Sequence, residues 1–216
     1  MNIRMIKMRL FFTVSYILFF TVTGSAQNWD IKLMKSINKN ETCFKNKYLE
    51  GAASSVSLLS LAAPASTLLL GFVKKDKGLQ RDGWYMAGGL AFTGIVTYSL
   101  KHIIDRPRPF EKYNFIVKRD DESGGSSFPS GHTTSAFYTA TALSLQYKIW
   151  YVTVPAFIYA GSVAWARMYQ GVHYPSDVLG GAIIGAGCAL LADWVKCKHV
   201  KKMEARAASN VVTVNL

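Results

Sequence analysis

The chain has 216 residues, enough for one domain with a sizeable core, and half of them are hydrophobic. Its 25 Lys and Arg against 13 Asp and Glu leave a formal net charge of +12, a balance that suits nucleic acid, anionic lipid or a phosphorylated substrate. No basic-aromatic motif accompanies the charge, which discounts nucleic acid, and Cys43, Cys188 and Cys197 are too scattered for a disulfide framework or a zinc site.

Residues 1–26 read as an export signal or N-terminal membrane anchor. Arg4, Lys7 and Arg9 make a basic start, Leu10–Val22 is apolar, and Gly24, Ser25 and Ala26 offer small residues for cleavage. Residues 27–50 are mixed and polar. The apolar positions Trp29, Ile31, Leu33, Met34 and Ile37 fit a short amphipathic helix, expected to cover part of a site entrance.

Five apolar segments follow: Ala52–Val73, Trp84–Ile104, Thr133–Tyr147, Ile149–Ala166 and Val178–Val195. A helix needs about 20 apolar residues to cross a bilayer, with about 17 as the lower limit. The first, second and fifth segments reach it. The third does so only when begun at the Pro129–Ser130 turn, and the fourth is marginal. Each contains small residues, including Gly181-x-x-x-Gly185, which suit close helix contacts in lipid or in a soluble helical core. The mean hydropathy of +0.14 is low for a membrane protein.

The basic residues decide for the membrane. Lys74, Lys75, Lys77 and Arg81 follow the first segment, Lys148 the third, and Lys196, Lys198, Lys201, Lys202 and Arg206 the fifth. Five alternating spans put all of these on one side, the cytoplasmic one by the positive-inside rule. The expected architecture is therefore an all-α polytopic membrane helical bundle over 51–196 with a basic cytoplasmic tail at 197–216. The third to fifth segments surround a pocket at the outer face of the inner membrane.

The outward loops, 105–132 and 167–177, hold nearly all the remaining polar residues. The stretch Ser126–Phe137 is a polar turn running into a helix, whose first free N–H groups and dipole favour an anion. Beside it come Lys101, Arg108 and Arg167 as cations, with His132, His173 and Asp177. Singly, each has a dull explanation as a snorkelling or loop-bonding side chain. Together at a membrane boundary they point to function. Phosphoryl transfer needs such parts: fixed donors from Lys101, Arg108, Arg167, Ser130 and Gly131 match the charge on the equatorial oxygens. A neutral His173 can attack in line, Asp177 four residues on can hold one ring nitrogen, and His132 can protonate the departing oxygen. The scheme uses no metal and no other cofactor.

These residues resemble the three-part signature of the type 2 phosphatidic acid phosphatase (PAP2) superfamily, K-x6-R-P, P-S-G-H and S-R-x5-H-x3-D. They read here as Lys101-x6-Arg108-Pro109, Pro129-Ser130-Gly131-His132 and Arg167-x5-His173-x3-Asp177. The resemblance implies a PAP2/acid phosphatase fold of the membrane lipid phosphatase branch. It also implies His173 as nucleophile, Asp177 as its partner, His132 as acid, and Lys101, Arg108, Ser130, Gly131 and Arg167 as phosphate binders. Ala166 stands where the family has serine. Arg106-Pro107 is a second Arg-Pro pair at the wrong distance from Lys101, and His102 and His199 match nothing.

The implied substrate is a lipid phosphate or diphosphate, with undecaprenyl diphosphate and a lipid A phosphate ahead of phosphatidic acid and phosphatidylglycerol phosphate. The alternatives are a lipid phosphotransferase of the same family and a non-catalytic membrane protein that binds anionic lipid. Vanadium haloperoxidases share the pocket but resemble larger soluble chains.

Overall fold

The computed structural model describes residues 29–39, 43–120 and 125–214, so the signal-like segment 1–26 lies outside the described residues. Every regular element among them is a helix. In chain order these are α1 (29–38), α2 (Cys43–Ser54), α3 (Val56–Val73), α4 (Lys77–Ile104), α5 (Pro109–Lys112), α6 (Gly131–Tyr147), α7 (Trp150–Tyr169) and α8 (Pro175–Val214).

The five apolar segments become α3, α4, α6, α7 and α8. The first one begins later than its composition suggests, because Ala52 belongs to α2. At the break, Ser54 and Ser55 turn their hydroxyls back onto the carbonyls of Gly51 and Ala52, a bond that competes with helix continuation. Asp76 starts α4, its carboxylate accepting from the N–H groups of Gly78 and Leu79. The basic stretch after Val195 is helical and continues α8.

The helices alternate in direction. At one end, Gln146 of α6 donates to Asp82 of α4 at 2.6 Å, Lys196 of α8 lies 3.4 Å from the same carboxylate, and Tyr85 meets His199 at 2.6 Å. That end carries the basic turns. At the other end, the Ser130 N–H donates to the Asp177 carbonyl, bringing the starts of α6 and α8 together beside the C-terminal turn of α4.

Small residues set the spacing of the core. One cluster joins Ala52 and Val56 to Ala136, Ala140, Ala160 and Val163; another joins Met86 to Tyr138, Ala142, Cys188 and Ala189. The G-x-x-x-G pair of α8 packs against α6. A Cβ on Gly185 runs into the Thr134 carbonyl oxygen and meets the Tyr138 nitrogen at 2.8 Å, main-chain atoms that cannot step aside. Gly185→Val is expected to cost about 3 kcal/mol, in the upper range for overpacking. The melting temperature in detergent then falls by roughly 10 °C. Gly187→Val, whose Cβ meets open space, leaves it unchanged.

Outside, the bundle is apolar: Leu58, Leu61, Leu69, Phe72, Ile95, Ile183 and Leu190 are all exposed. Surface of this extent suits lipid contact rather than water. Among the described residues, α3 and the Pro175–Arg206 part of α8 are long and apolar enough to cross a membrane. The five-span expectation is met in those terms by these two. Helix α6 has 17 residues and is rich in Ser and Thr, while α4 carries charge at both ends and α7 carries Arg167 in its last turn.

Candidate active site

The site is organised on an extended strip, 125–130, that leads into α6. Three successive carbonyls on this strip hold three of the residues singled out by sequence. Gly125 accepts from Arg108 Nε at 3.0 Å, Ser126 from Lys101 Nζ at 2.6 Å, and Ser127 from His173 Nδ1 at 2.7 Å. The strip is itself pinned by the Ser127 N–H to the Arg106 carbonyl and by the Arg106 N–H to the Ser126 hydroxyl.

Each side chain arrives by local chemistry. Lys101 sits in the last turn of α4, where a cation meets the negative end of the helix dipole. Arg108 precedes the one-turn helix α5, with Pro109 at its first position and the Glu111 carboxylate accepting from the Arg108 N–H at 2.9 Å. Ser130 is the residue before α6, so the free N–H groups of the PSGH turn belong to that helix start. A Cβ on Gly131 has only Thr97 near it, at 3.9 Å, so packing within the protein does not demand glycine there. The position opens on a cleft of about 350 Å³ lined by Lys101, Gly131 and His132. Lys101 also borders a second cleft, about 470 Å³, with Arg108, Gly125 and Ser126. A separate apolar groove of about 460 Å³ runs between α4 and α8, away from these residues, past Trp84, Phe92, Leu191 and Val195.

Arg167, only 2% exposed, lies in the last turn of α7 and donates to Asp120 and to Gln170 Oε1. Lys101 and Arg108 lie close enough for their charges to act on His132, and Arg108, Arg167 and Asp177 close enough to act on His173.

His173 is 1% exposed in the loop between α7 and α8. Burial is the main force on its ring, assisted by Arg167 and Arg108 and opposed by Asp177, and it is pushed down to about 4. The ring is therefore neutral at pH 7. With Nδ1–H given to the Ser127 carbonyl, the lone pair is left on Nε2.

Asp177 differs from its expected geometry. Its Oδ2 is 3.8 Å from His173 Nδ1, and that nitrogen donates to Ser127 instead. The carboxylate accepts from the Tyr174 N–H at 2.8 Å and from Arg106 Nη1 at 2.6 Å. The i,i+4 spacing sets the two residues side by side, but a nearer carbonyl takes the ring proton. Among the described residues, no group of three or more His, Cys, Asp or Glu is arranged to hold a metal ion.

This arrangement of cations, histidines and a helix start agrees with comparison to known proteins. The family model for the PAP2 superfamily matches residues 82–199, more than half of the chain. The chain belongs to the PAP2 superfamily. It is 34% identical over 116 residues to a lipid A 1-phosphatase of Rhizobium johnstonii, covering 50% of this chain and 46% of that protein. It is 26% identical over 190 residues to an undecaprenyl-diphosphatase of Sulfolobus acidocaldarius, covering 87% and 89% respectively. The crystal structure of a transmembrane PAP2 type phosphatidylglycerolphosphate phosphatase from Bacillus subtilis superposes with a TM-score of 0.68 at 24% identity, over 86% of this chain and 96% of that one, a likeness of fold. The chain spans about half the length of the first curated relatives it matches.

Within this PAP2 chain the one departure from the signature is an apolar side chain in an apolar setting. Ala166 is fully buried in an apolar cluster with Ile37, Leu49, Ala53 and Tyr169. His102 bonds along its own helix to the Tyr98 carbonyl, and His199 pairs with Tyr85 at the opposite end of the bundle.

Sequence reading set Arg106 aside, gave Ser127 no role of its own, and overlooked Asp30, Asp120 and Gln170. Arg106 had a signal, since a second Arg at a membrane boundary demands a partner. Its partners, Asp30 and Asp177, lie 76 and 71 residues away. Asp30, in a separate N-terminal helix, carried no local mark.

Proposed function

We propose that this protein is a membrane phosphatase that hydrolyses a lipid phosphate or diphosphate through a phosphohistidine. The observation that carries this reading is the strip 125–127, which holds Arg108, Lys101 and His173 side by side next to the start of α6. The phosphoryl group docks against Lys101, Arg108, Arg167 and the Ser130–Gly131 turn, which meet its spreading negative charge. The Nε2 lone pair of His173 forms the N–P bond as the P–O bond to the lipid breaks. His132 gives a proton to the departing oxygen. Water then attacks phosphorus, His132 takes the proton back, the N–P bond breaks and inorganic phosphate leaves.

Five spans, α3, α4, α6, α7 and α8, keep the tail of the substrate in lipid while its headgroup reaches the site. The basic turns gather at the far end of the bundle, and by the positive-inside rule that end is cytoplasmic. The pocket then opens outward, which favours an undecaprenyl diphosphate or a lipid A phosphate as substrate. The similarity to a lipid A 1-phosphatase and an undecaprenyl-diphosphatase supports the same pair.

The test is phosphate release by the purified protein in detergent with chelator present. Undecaprenyl diphosphate, lipid A, phosphatidic acid and phosphatidylglycerol phosphate are run beside a soluble phosphomonoester. Chelator-resistant release from one lipid, at rates well above the others, is expected. No release from any would overturn the reading.

The pH profile is a second expected result. A His173 pushed down to about 4 by burial is already neutral above that value, so its contribution to kcat/KM is complete at neutral pH. The contribution declines only as pH falls through about 4. Corrected for ionisation of the substrate, the acid limb for a soluble phosphomonoester lies nearer 4 than the ordinary histidine value of about 6.5.

A further inference from the structure

The N-terminal helix reaches the centre of the site. Asp30, fully buried in α1, accepts at Oδ2 from Arg106 Nη2 at 2.9 Å and from the Ser176 hydroxyl at 2.5 Å. Its Oδ1 accepts the Ser176 N–H at 3.0 Å, a first-turn donor of α8, so a residue 146 positions away caps that helix. Arg106 spans the gap: Nη1 donates to Asp177 Oδ1 and to Ser176 Oγ, and its guanidinium lies 3.9 Å over the Tyr174 ring. At the other end of α1, Asn38 bonds to both main-chain groups of Val117 and to the Tyr169 carbonyl. Helix α1 is thus tied at both ends across the loop that carries His173.

The charges give these ties a consequence. Arg106 alone would cancel Asp177, leaving His173 facing Arg108 and Arg167 with no net negative charge behind it. Asp30 adds a second carboxylate, so the Asp30–Arg106–Asp177 cluster keeps one net negative charge. When Nε2 takes the phosphoryl group while Nδ1 stays protonated, the ring becomes cationic. A negative cluster beside it is then stabilising.

We infer that Asp30 and Arg106 are positioning residues for the phosphohistidine step: they fix Asp177 and supply the negative charge that the phosphorylated ring requires, which makes α1 part of the catalytic centre. This rests on the phosphohistidine reading and extends it to a helix outside the signature.

Asp30→Asn in the full chain is the test, since it preserves shape and removes the charge. Calorimetry compares orthovanadate, which becomes five-coordinate by bonding to Nε2, with inorganic phosphate, which occupies only the anion site. Orthovanadate affinity is expected to fall about tenfold relative to phosphate. On a soluble phosphomonoester, kcat falls by a similar factor while KM holds. Lys32→Ala, exposed on the same helix, keeps the wild-type ratio. A lower melting temperature with ratio and kcat unchanged would make Asp30 merely structural and overturn the inference. Wild-type protein that releases no phosphate removes the phosphatase reading, while the vanadate-to-phosphate ratio still judges Asp30. Should Asp30→Asn not fold, Arg106→Lys replaces it, keeping a cation that cannot bridge both carboxylates. The net charge is unchanged, so a smaller fall in ratio, from the lost positioning of Asp177 alone, is expected, and an unchanged ratio overturns the inference.

Discussion

His173→Ala is expected to lower turnover by on the order of 10⁴-fold while the bundle remains folded. The ring supplies the lone pair that takes phosphorus from the lipid oxygen in the first step of the proposed route, and a methyl group offers no substitute. Its structural cost is smaller: one buried hydrogen bond to the Ser127 carbonyl is lost, about 1–2 kcal/mol, together with the packing of the ring. Melting temperature and turnover therefore separate, with the first shifting by a few degrees and the second collapsing. Rapid quenching of the wild-type protein with labelled substrate should trap an acid-labile, base-stable phosphate on His173, absent from the variant. Turnover by the variant at the wild-type rate would remove the phosphohistidine step altogether.

The second large effect is predicted for His132→Gln, and its size depends on the leaving group. His132 is the second residue of α6, half-buried, on the wall of the cleft it shares with Lys101 and Gly131. A positioned general acid contributes about 10²–10⁴-fold. A departing alkoxide needs that proton, and an aryl oxide of low basicity does not. In the first turnover, release of the alcohol from an alkyl phosphate should fall about 10³-fold, and release of p-nitrophenol from p-nitrophenyl phosphate by less than about tenfold. Equal losses on both would assign His132 to phosphate binding rather than to proton transfer.

Much of the architecture was legible in the chain. The five apolar segments became five helices because a long run of small and apolar residues leaves little else that satisfies the backbone, even with Pro64 inside α3 and Pro155 inside α7. The Gly181–Gly185 pair reads as a close-contact face, and its Cβ positions do run into α6. Boundaries were less legible. The break at Ser54 depends on two hydroxyls turning inward, and one of them also reaches Tyr159 of α7, a partner 104 residues away.

Residue type and local spacing were enough for the all-α class, the order of the helices, and the cations and histidines that meet at one end. How those residues are held depends on contacts between distant segments. The i,i+4 spacing of His173 and Asp177 gave proximity, but the Ser127 carbonyl, 46 residues away, takes the ring proton at 2.7 Å and leaves Asp177 to Arg106. The role of Asp30 was hidden for the same physical reason. Helical periodicity extends a few residues, whereas a buried charge is settled by whatever partner the fold brings within about 3 Å, however distant along the chain.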